Sequence, residues 1–205
     1  MIKNIVFDLG NVLAKFNPYE IYYSYTDNKQ QALELYELMY ESNLWVDLDR
    51  GIDPVEVITN MCAKAPTHYH EPIQQIVLTW INALTFDPKM KSLVKQLKQH
   101  EFRIYMLSNI SKQFYDFRKN NDIFDEFDGL YVSADYNHIK PSQEIYHHFL
   151  KNFDINAFES IFIDDKEENI LSAKAIGFHV YHYQDDFNQL IKYLNQSLSI
   201  SLEIK

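Results

Sequence analysis

The sequence predicts an α/β fold in which a doubly wound parallel sheet carries an inserted α-helical cap. Three observations predict it. Short apolar runs that end in polar residues or glycine recur along the chain, helical periodicities fill the intervals between the later runs, and the first interval is far longer than a crossover needs. At 205 residues the chain suits one domain with a smaller insertion. A hydrophobic fraction of 46% and an aromatic fraction of 15% exclude a disordered chain, because that much apolar surface offsets the entropy of ordering it.

The first predicted strand is the apolar run from Ile2 to Leu9, interrupted by Asp8 and stopped by Gly10. Further strands are expected at Phe102–Leu107, Leu130–Val132, Ile161–Ile163 and Phe178–Tyr181. Between them, Ile145, Phe149, Leu150 and Phe153 follow Pro141 at helical spacing. Ile170, Leu171, Ala173 and Ala175 lead to Gly177, the residue type that most easily takes the left-handed conformation closing a helix. Alternating strands and helices imply a mostly parallel, Rossmann-like sheet covered on both faces with right-handed crossovers.

From Gly10 to Glu101 no strand is expected. Residues 18–86 instead read as several helices punctuated by Asp27-Asn28, Gly51, Asp53-Pro54, Pro66 and Pro72. Leu33, Leu35, Leu38 and Met39 form one apolar stripe; Val55, Val57, Ile58 and Met61 a second; Ile73, Ile76, Val77, Trp80, Ile81 and Leu84 a third. The expected division is a core of residues 1–16 and 87–205 with a helical cap of residues 17–86, the core resuming through a helix at Lys89–Gln99. In the tail, Leu198, Ile200, Leu202 and Ile204 alternate with mostly polar residues, compatible with a late edge strand or with a packed tail, the second being the reading adopted.

A net charge of −10 removes the broad cationic footprint that nucleic acid or an anionic membrane would require. The single Cys62 rules out an intramolecular disulfide framework and fits a reducing compartment. The N-terminal apolar run is too short and too soon broken for a signal peptide, and no long uncharged apolar stretch follows. A cytoplasmic location is expected.

Polar clusters stand just beyond the predicted strands: Asp8 with Gly10 and Asn11, Ser108 with Asn109, His138 to Pro141 containing Lys140, and Asp164 with Asp165. The carboxyl ends of parallel strands open on one crevice, so residues distant in sequence meet there. Three carboxylates brought together repel one another unless a cation lies between them, and oxygen ligands suit Mg²⁺. A cation beside a lysine would attract an anion such as a phosphoryl group.

In chain order, Ile5 to Leu13, Met106 to Asn109, Lys140-Pro141 and Phe162 to Asn169 resemble the four motifs of the haloacid dehalogenase superfamily. The form of the first, second and fourth is similar to the branch containing a bacterial α-glucose-1-phosphate phosphatase and the phosphatase domain of soluble epoxide hydrolases. The resemblance implies a Mg²⁺-dependent phosphatase acting on a small, sugar phosphate-like monoester. It makes Asp8 the nucleophile that forms an aspartyl-phosphate intermediate. The metal ligands would be Asp8, the Gly10 carbonyl and Asp165, with Asp164 orienting a metal-bound water or Lys140. Ser108, the Asn109 backbone and Lys140 would hold the phosphate, and Lys140 would neutralise charge on the nucleophile as well.

One departure stands beside these matches. Most phosphatases of the superfamily carry a second Asp two residues after the nucleophile, which moves the proton of the leaving group; this chain has Gly10. Positioned acid–base groups contribute roughly 10²–10⁴ in rate. A substrate hydroxyl, a water or a cap residue is therefore expected to replace that help, unless the leaving group departs without it. Three alternatives follow: a metal- and phosphate-binding protein without turnover, a dehalogenase, and a phosphomutase. His68, His70, His147, His148, His179 and His182 lack the spacing of a transition-metal site and are expected at the surface or half-buried. Trp45 and the tyrosines of residues 19–25 are given no role, since helical aromatics are more often core.

Overall fold

A computed structural model of the chain describes residues 1–26, 28–41 and 44–203. The chain opens with β1 (Asn4–Phe7), whose Ile5, Val6 and Phe7 are fully buried on both faces, and then makes a short β2 (Ala14–Lys15). Helices α1 (Pro18–Ser24), α2 (Lys29–Tyr36), α3 (Val46–Asp49), α4 (Pro54–Cys62) and α5 (His70–Thr79) follow, with a π-helical turn at Glu37–Glu41. The path returns through β3 (Thr85–Phe86) and α6 (Pro88–Gln99) to β4 (Arg103–Ser108). It finishes as α7 (Phe114–Lys119), β5 (Gly129–Val132), α8 (Gln143–Phe153), β6 (Ser160–Asp164), α9 (Glu167–Ile176), β7 (His179–His182) and α10 (Phe187–Leu198).

The main sheet has the order β5-β4-β1-β6-β7 and every pairing in it is parallel. Successive side chains of a strand point to opposite faces, and both faces are covered. Ile5, Phe7, Ile104, Met106, Ile161 and Ile163 join one core with α6, α7 and α10. Val6, Tyr105, Leu107, Tyr131 and Phe162 join another with Ile145, Tyr146 and Phe149 of α8 and Ala173 of α9. This is the expected doubly wound arrangement. The chain leaves β1 toward β4 and β5, then crosses back to β6 and β7, so the crevice beside β1 is the switch point of the sheet.

Local chemistry explains the element ends. Asp87 and Asp186 accept hydrogen bonds from Lys89 N and Gln189 N and so cap α6 and α10. Gly177 ends α9 at φ +109°, as anticipated, and a Cβ there would press on the Phe158 ring. The strands of the main sheet match the predicted runs to within two residues at each end.

Several expectations are corrected. The segment expected to lack strands contains β2 and β3, which pair antiparallel as a two-residue ribbon; so short a pairing leaves no alternation to read. Leu33 and Val55, placed in apolar stripes, are exposed, whereas the third stripe, Ile73 to Leu84, is buried in full. Leu171 is exposed as well, because α9 packs through Ile170 and Ala173. In the tail, α10 continues through Leu198 and Ser199 turns the chain at φ +55°. Leu202 is buried and its N–H bonds Asn195 Oδ1, so this stretch is the expected packed tail and not an edge strand. Asp27, Ile204 and Lys205 lie outside the described residues.

Candidate active site

Parallel pairing sets the site. Phe7 is abreast of Met106 on β4 and Ile163 on β6, so Asp8 emerges beside Asp164 with Ser108 close by on the other flank. The Asp8 N–H closes the register by bonding the Ile163 carbonyl at 2.9 Å. Beyond Asp8 the chain turns sharply: Leu13 and Ala14 N–H both bond the Leu9 carbonyl, and Asn11 adopts φ +54°. Its amide donates to Asp165 Oδ2 at 3.3 Å, while its oxygen accepts the Phe16 N–H at 3.1 Å. Asn11 thus ties the first motif to the last.

Lys140 is the electrostatic centre. Its ammonium group is buried, 2.9 Å from Asp8 Oδ1 and 2.6 Å from Asp164 Oδ2. Asn109 holds it in place through two bonds to its backbone, Nδ2–H to the Lys140 carbonyl at 2.9 Å and Lys140 N–H to Oδ1 at 2.8 Å. The Asn109 side chain is thereby occupied. Asp164 is fully buried: Oδ1 accepts from Lys166 N–H and Asn169 Nδ2, both at 2.9 Å, and Oδ2 accepts from Lys140.

Burial pushes the Asp8 carboxyl up to about 6; Lys140 pulls it down, and Asp164 and Asp165 add to the rise. Burial alone would lower Lys140, yet the Asp164 and Asp8 carboxylates outweigh it and hold the lysine above its ordinary range. Asp8, Asp164 and Asp165 each offer a carboxylate oxygen, and these oxygens lie within 4.8 Å of one another. Asp8 Oδ1 is buried and, although an ammonium lies 2.9 Å away, receives no aligned hydrogen bond. An under-satisfied carboxylate oxygen within a cluster of hard donors fits Mg²⁺.

Asp8, Gly10, Ser108, Asn109, Lys140 and Asp165 open on one cavity of about 540 Å³. Asp164 stands behind it, reaching the cavity through Lys140. The opposite wall comes from the helical segment and the first turn. Phe16, Trp45 and Trp80 form an edge-to-face cluster, with centroids 5.6 and 5.4 Å apart, joined by Tyr40 and Leu84. The Trp80 indole N–H is held by Gln113 Oε1 at 2.7 Å. Trp45, given no role from the sequence, is therefore part of the site, and so are Asn11, Asp49, Lys166 and Asn169. The buried end of a helical aromatic cannot be told from a cavity wall by periodicity. Asn169 did carry a signal, as the last residue of the fourth motif. The six histidines are half-buried or exposed, as expected.

The family model of haloacid dehalogenase-like hydrolases matches residues 2–177. The chain belongs to this family. Among its relatives, a sesquiterpene phosphatase of Aspergillus oryzae is 32% identical over 188 residues, covering 89% of this chain and 90% of that protein. A D-ribitol-5-phosphate phosphatase of Bacteroides thetaiotaomicron is 24% identical, covering 88% and 91% of the two chains. In fold, the haloacid dehalogenase-like chain superposes on a family enzyme of Bacteroides thetaiotaomicron solved with magnesium and inorganic phosphate. The TM-score is 0.73 at 21% identity, over 93% of this chain and 99% of the other. An L-2-haloacid dehalogenase of Xanthobacter autotrophicus shares the fold with a TM-score of 0.65 at 16% identity, over 98% and 85%. The chain is thus a hydrolase of the haloacid dehalogenase-like family. Among the described residues, no helix is long and apolar enough to cross a membrane.

Proposed function

We propose that this hydrolase is a Mg²⁺-dependent phosphatase that cleaves the phosphate monoester of a small, largely apolar alcohol through an aspartyl-phosphate on Asp8. The observation that carries the reading is the buried pairing of Lys140 with Asp8 inside a three-carboxylate cluster that fits a divalent cation. A dehalogenase would have to expel halide beside three carboxylates, which the electrostatics oppose.

In this reading Asp8 attacks phosphorus in line with the leaving oxygen. The Ser108 hydroxyl and the Asn109 N–H bind phosphoryl oxygens, and Lys140 neutralises charge on both Asp8 and the transferring group. Asp8, Asp165 and the Gly10 carbonyl would hold the cation. Asp164, whose oxygens are engaged by Lys140, Asn169 and Lys166 N–H, fixes Lys140 and supports the metal shell. When bound, Mg²⁺ supplies electrophilic charge to the phosphoryl oxygens. Residues 17–86 act as a cap that closes over the pocket and selects the leaving group.

The aromatic wall moves the expected organic group away from a sugar. Phe16, Trp45 and Trp80 offer ring surface, and the Trp80 N–H is already spent on Gln113. Such a wall rewards an apolar group by burial, and its ring faces offer hydroxyls no partner, the polar groups Asp47, Asp49, Arg50 and Glu168 lining other parts of the cavity. The relationship to a sesquiterpene phosphatase supports the same choice. The free Cys62 is in keeping with a reducing compartment such as the cytoplasm.

The test is phosphate release from a panel of prenyl, alkyl, aryl and sugar phosphates with and without Mg²⁺, using Asp8→Asn as control. Mg²⁺-dependent release, fastest with apolar esters and lost in Asp8→Asn, is expected. Fastest release from sugar phosphates would reverse the substrate choice; Mg²⁺-dependent binding without release would favour a non-catalytic protein.

A further inference from the structure

Gly10 leaves a proton-transfer position without a side chain, and a Cβ built there would have no atom within 4 Å. The vacant space lies in the cavity that also receives Asp49, the last residue of α3. Asp49 is brought there by the core. The buried Ser133 hydroxyl donates to the Asp49 carbonyl at 2.6 Å and accepts the Ile110 N–H at 2.9 Å, pinning the end of α3 to the segment that follows Ser108 and Asn109. The next turn is pressed against the same place. At Gly51, with φ +86°, a Cβ would lie 2.2 Å from the Ala134 carbonyl oxygen, so only glycine allows this approach. The backbone of Asp49 is therefore fixed by a tight seam, on the wall of the cavity that Asp8 also lines.

We propose that Asp49 is the catalytic acid–base residue of this enzyme, supplying from the helical segment the proton transfer that Gly10 cannot. The assignment rests on the phosphatase reading above. Asp8 forms a bond to phosphorus as the bond to the leaving oxygen breaks; that oxygen takes the electron pair and the proton of Asp49, and the alcohol departs. The Asp49 carboxylate then removes a proton from water, whose oxygen attacks phosphorus and releases Asp8 as carboxylate and the phosphate as product. Asp49 ends protonated, ready for the next ester.

The surroundings suit the role. Desolvation raises the Asp49 carboxyl to about 7, with Lys166 lowering it, Asp8 raising it and Lys140 lowering it. Asp47 and Arg50 flank it on its own turn and Asp135 lies on the segment against which α3 packs. An acid near the working pH gives up and regains its proton with the least cost in driving force.

The experiment measures alcohol release in the first turnover, by rapid quench at saturating Mg²⁺, from 2-phenylethyl phosphate and from 4-nitrophenyl phosphate. The first has a poor leaving group that needs a proton; the second leaves without one. In Asp49→Asn, release of 2-phenylethanol should fall by roughly 10²–10³ and release of 4-nitrophenol by less than about tenfold. Near-normal 4-nitrophenol release also reports that the variant is folded. Adding Gly10→Asp should recover at least about tenfold of the lost 2-phenylethanol release. In the wild type, that rate should decline at alkaline pH as the acid loses its proton, a limb absent from Asp49→Asn. Equal losses with both esters, or no recovery on adding Gly10→Asp, would overturn the assignment. No release from either ester by the wild type would instead remove the phosphatase reading on which it stands.

Discussion

The Lys140 ammonium donates to Asp164 Oδ2 at 2.6 Å, and both groups are almost wholly buried. A carboxylate and an ammonium withdrawn from water this far must satisfy each other, because each alone would carry a large desolvation penalty. Lys140 also faces Asp8, so a single cation offsets two anions at the end of the central strand.

Removing that cation should be costly. Lys140→Met keeps the aliphatic stem and leaves Asp8 and Asp164 facing each other without a charge between them. The variant is expected to lose about 3–5 kcal/mol of stability in urea unfolding, together with its phosphatase activity. A loss under about 1 kcal/mol would mean that the pair is solvated in solution.

Removing the Asp8 carboxylate should do the opposite. The Asp8 carboxyl rises from 3.8 to about 6 on folding, so the folded state holds that proton more tightly than the unfolded chain. Ionisation therefore works against folding: stability falls as pH rises from about 4 to about 6, and the penalty is complete above that window. At pH 7.5 and without metal, Asp8→Asn should be more stable than the wild type by about 1–3 kcal/mol. Saturating Mg²⁺ should shrink the difference, since the cation stabilises only the form that binds it. Chemical denaturation of both proteins in EDTA and in Mg²⁺ reads all four values. A wild type more stable than Asp8→Asn in EDTA contradicts this prediction.

Chelation separates the phosphatase from its structural cousins. In EDTA, phosphate release should drop to the level of Asp8→Asn and return on adding Mg²⁺, because the clustered carboxylates need a divalent cation to accept an anionic ester. Chloride release from 2-chloropropionate that persists in EDTA would falsify the metal-dependent account.

Much of this site was legible in the sequence because strand ends carry chemistry. Asp8, Ser108, Asp164 and Asp165 sit one residue either side of a strand boundary, and parallel pairing alone brings them together. The left-handed Gly177 and the buried stripe from Ile73 to Leu84 were readable for a similar reason, since each follows from local backbone or periodic preference. What stayed hidden depends on contacts distant in the chain. Asp49 ends a short helix, and its place on the cavity wall comes from Ser133, which bonds its carbonyl, and from the approach of Gly51 to Ala134, more than 80 residues later. Trp45 and Trp80 read as core because they are core on one side. The two-residue strands β2 and β3 exist only through each other. The packing of the tail likewise depends on Asn195 capturing Leu202, a contact that hydrophobic alternation does not encode.

The most direct test of the central claim is to trap the intermediate. Reactions of the Mg²⁺-loaded wild type with 4-nitrophenyl phosphate are quenched in acid during turnover, digested and examined by mass spectrometry, with borohydride reduction in parallel. The account predicts a phosphoryl adduct on the peptide containing Asp8, conversion of Asp8 to homoserine by borohydride, and neither signal in Asp8→Asn. Steady phosphate release by the wild type with no adduct, or an adduct that survives in Asp8→Asn, would contradict it.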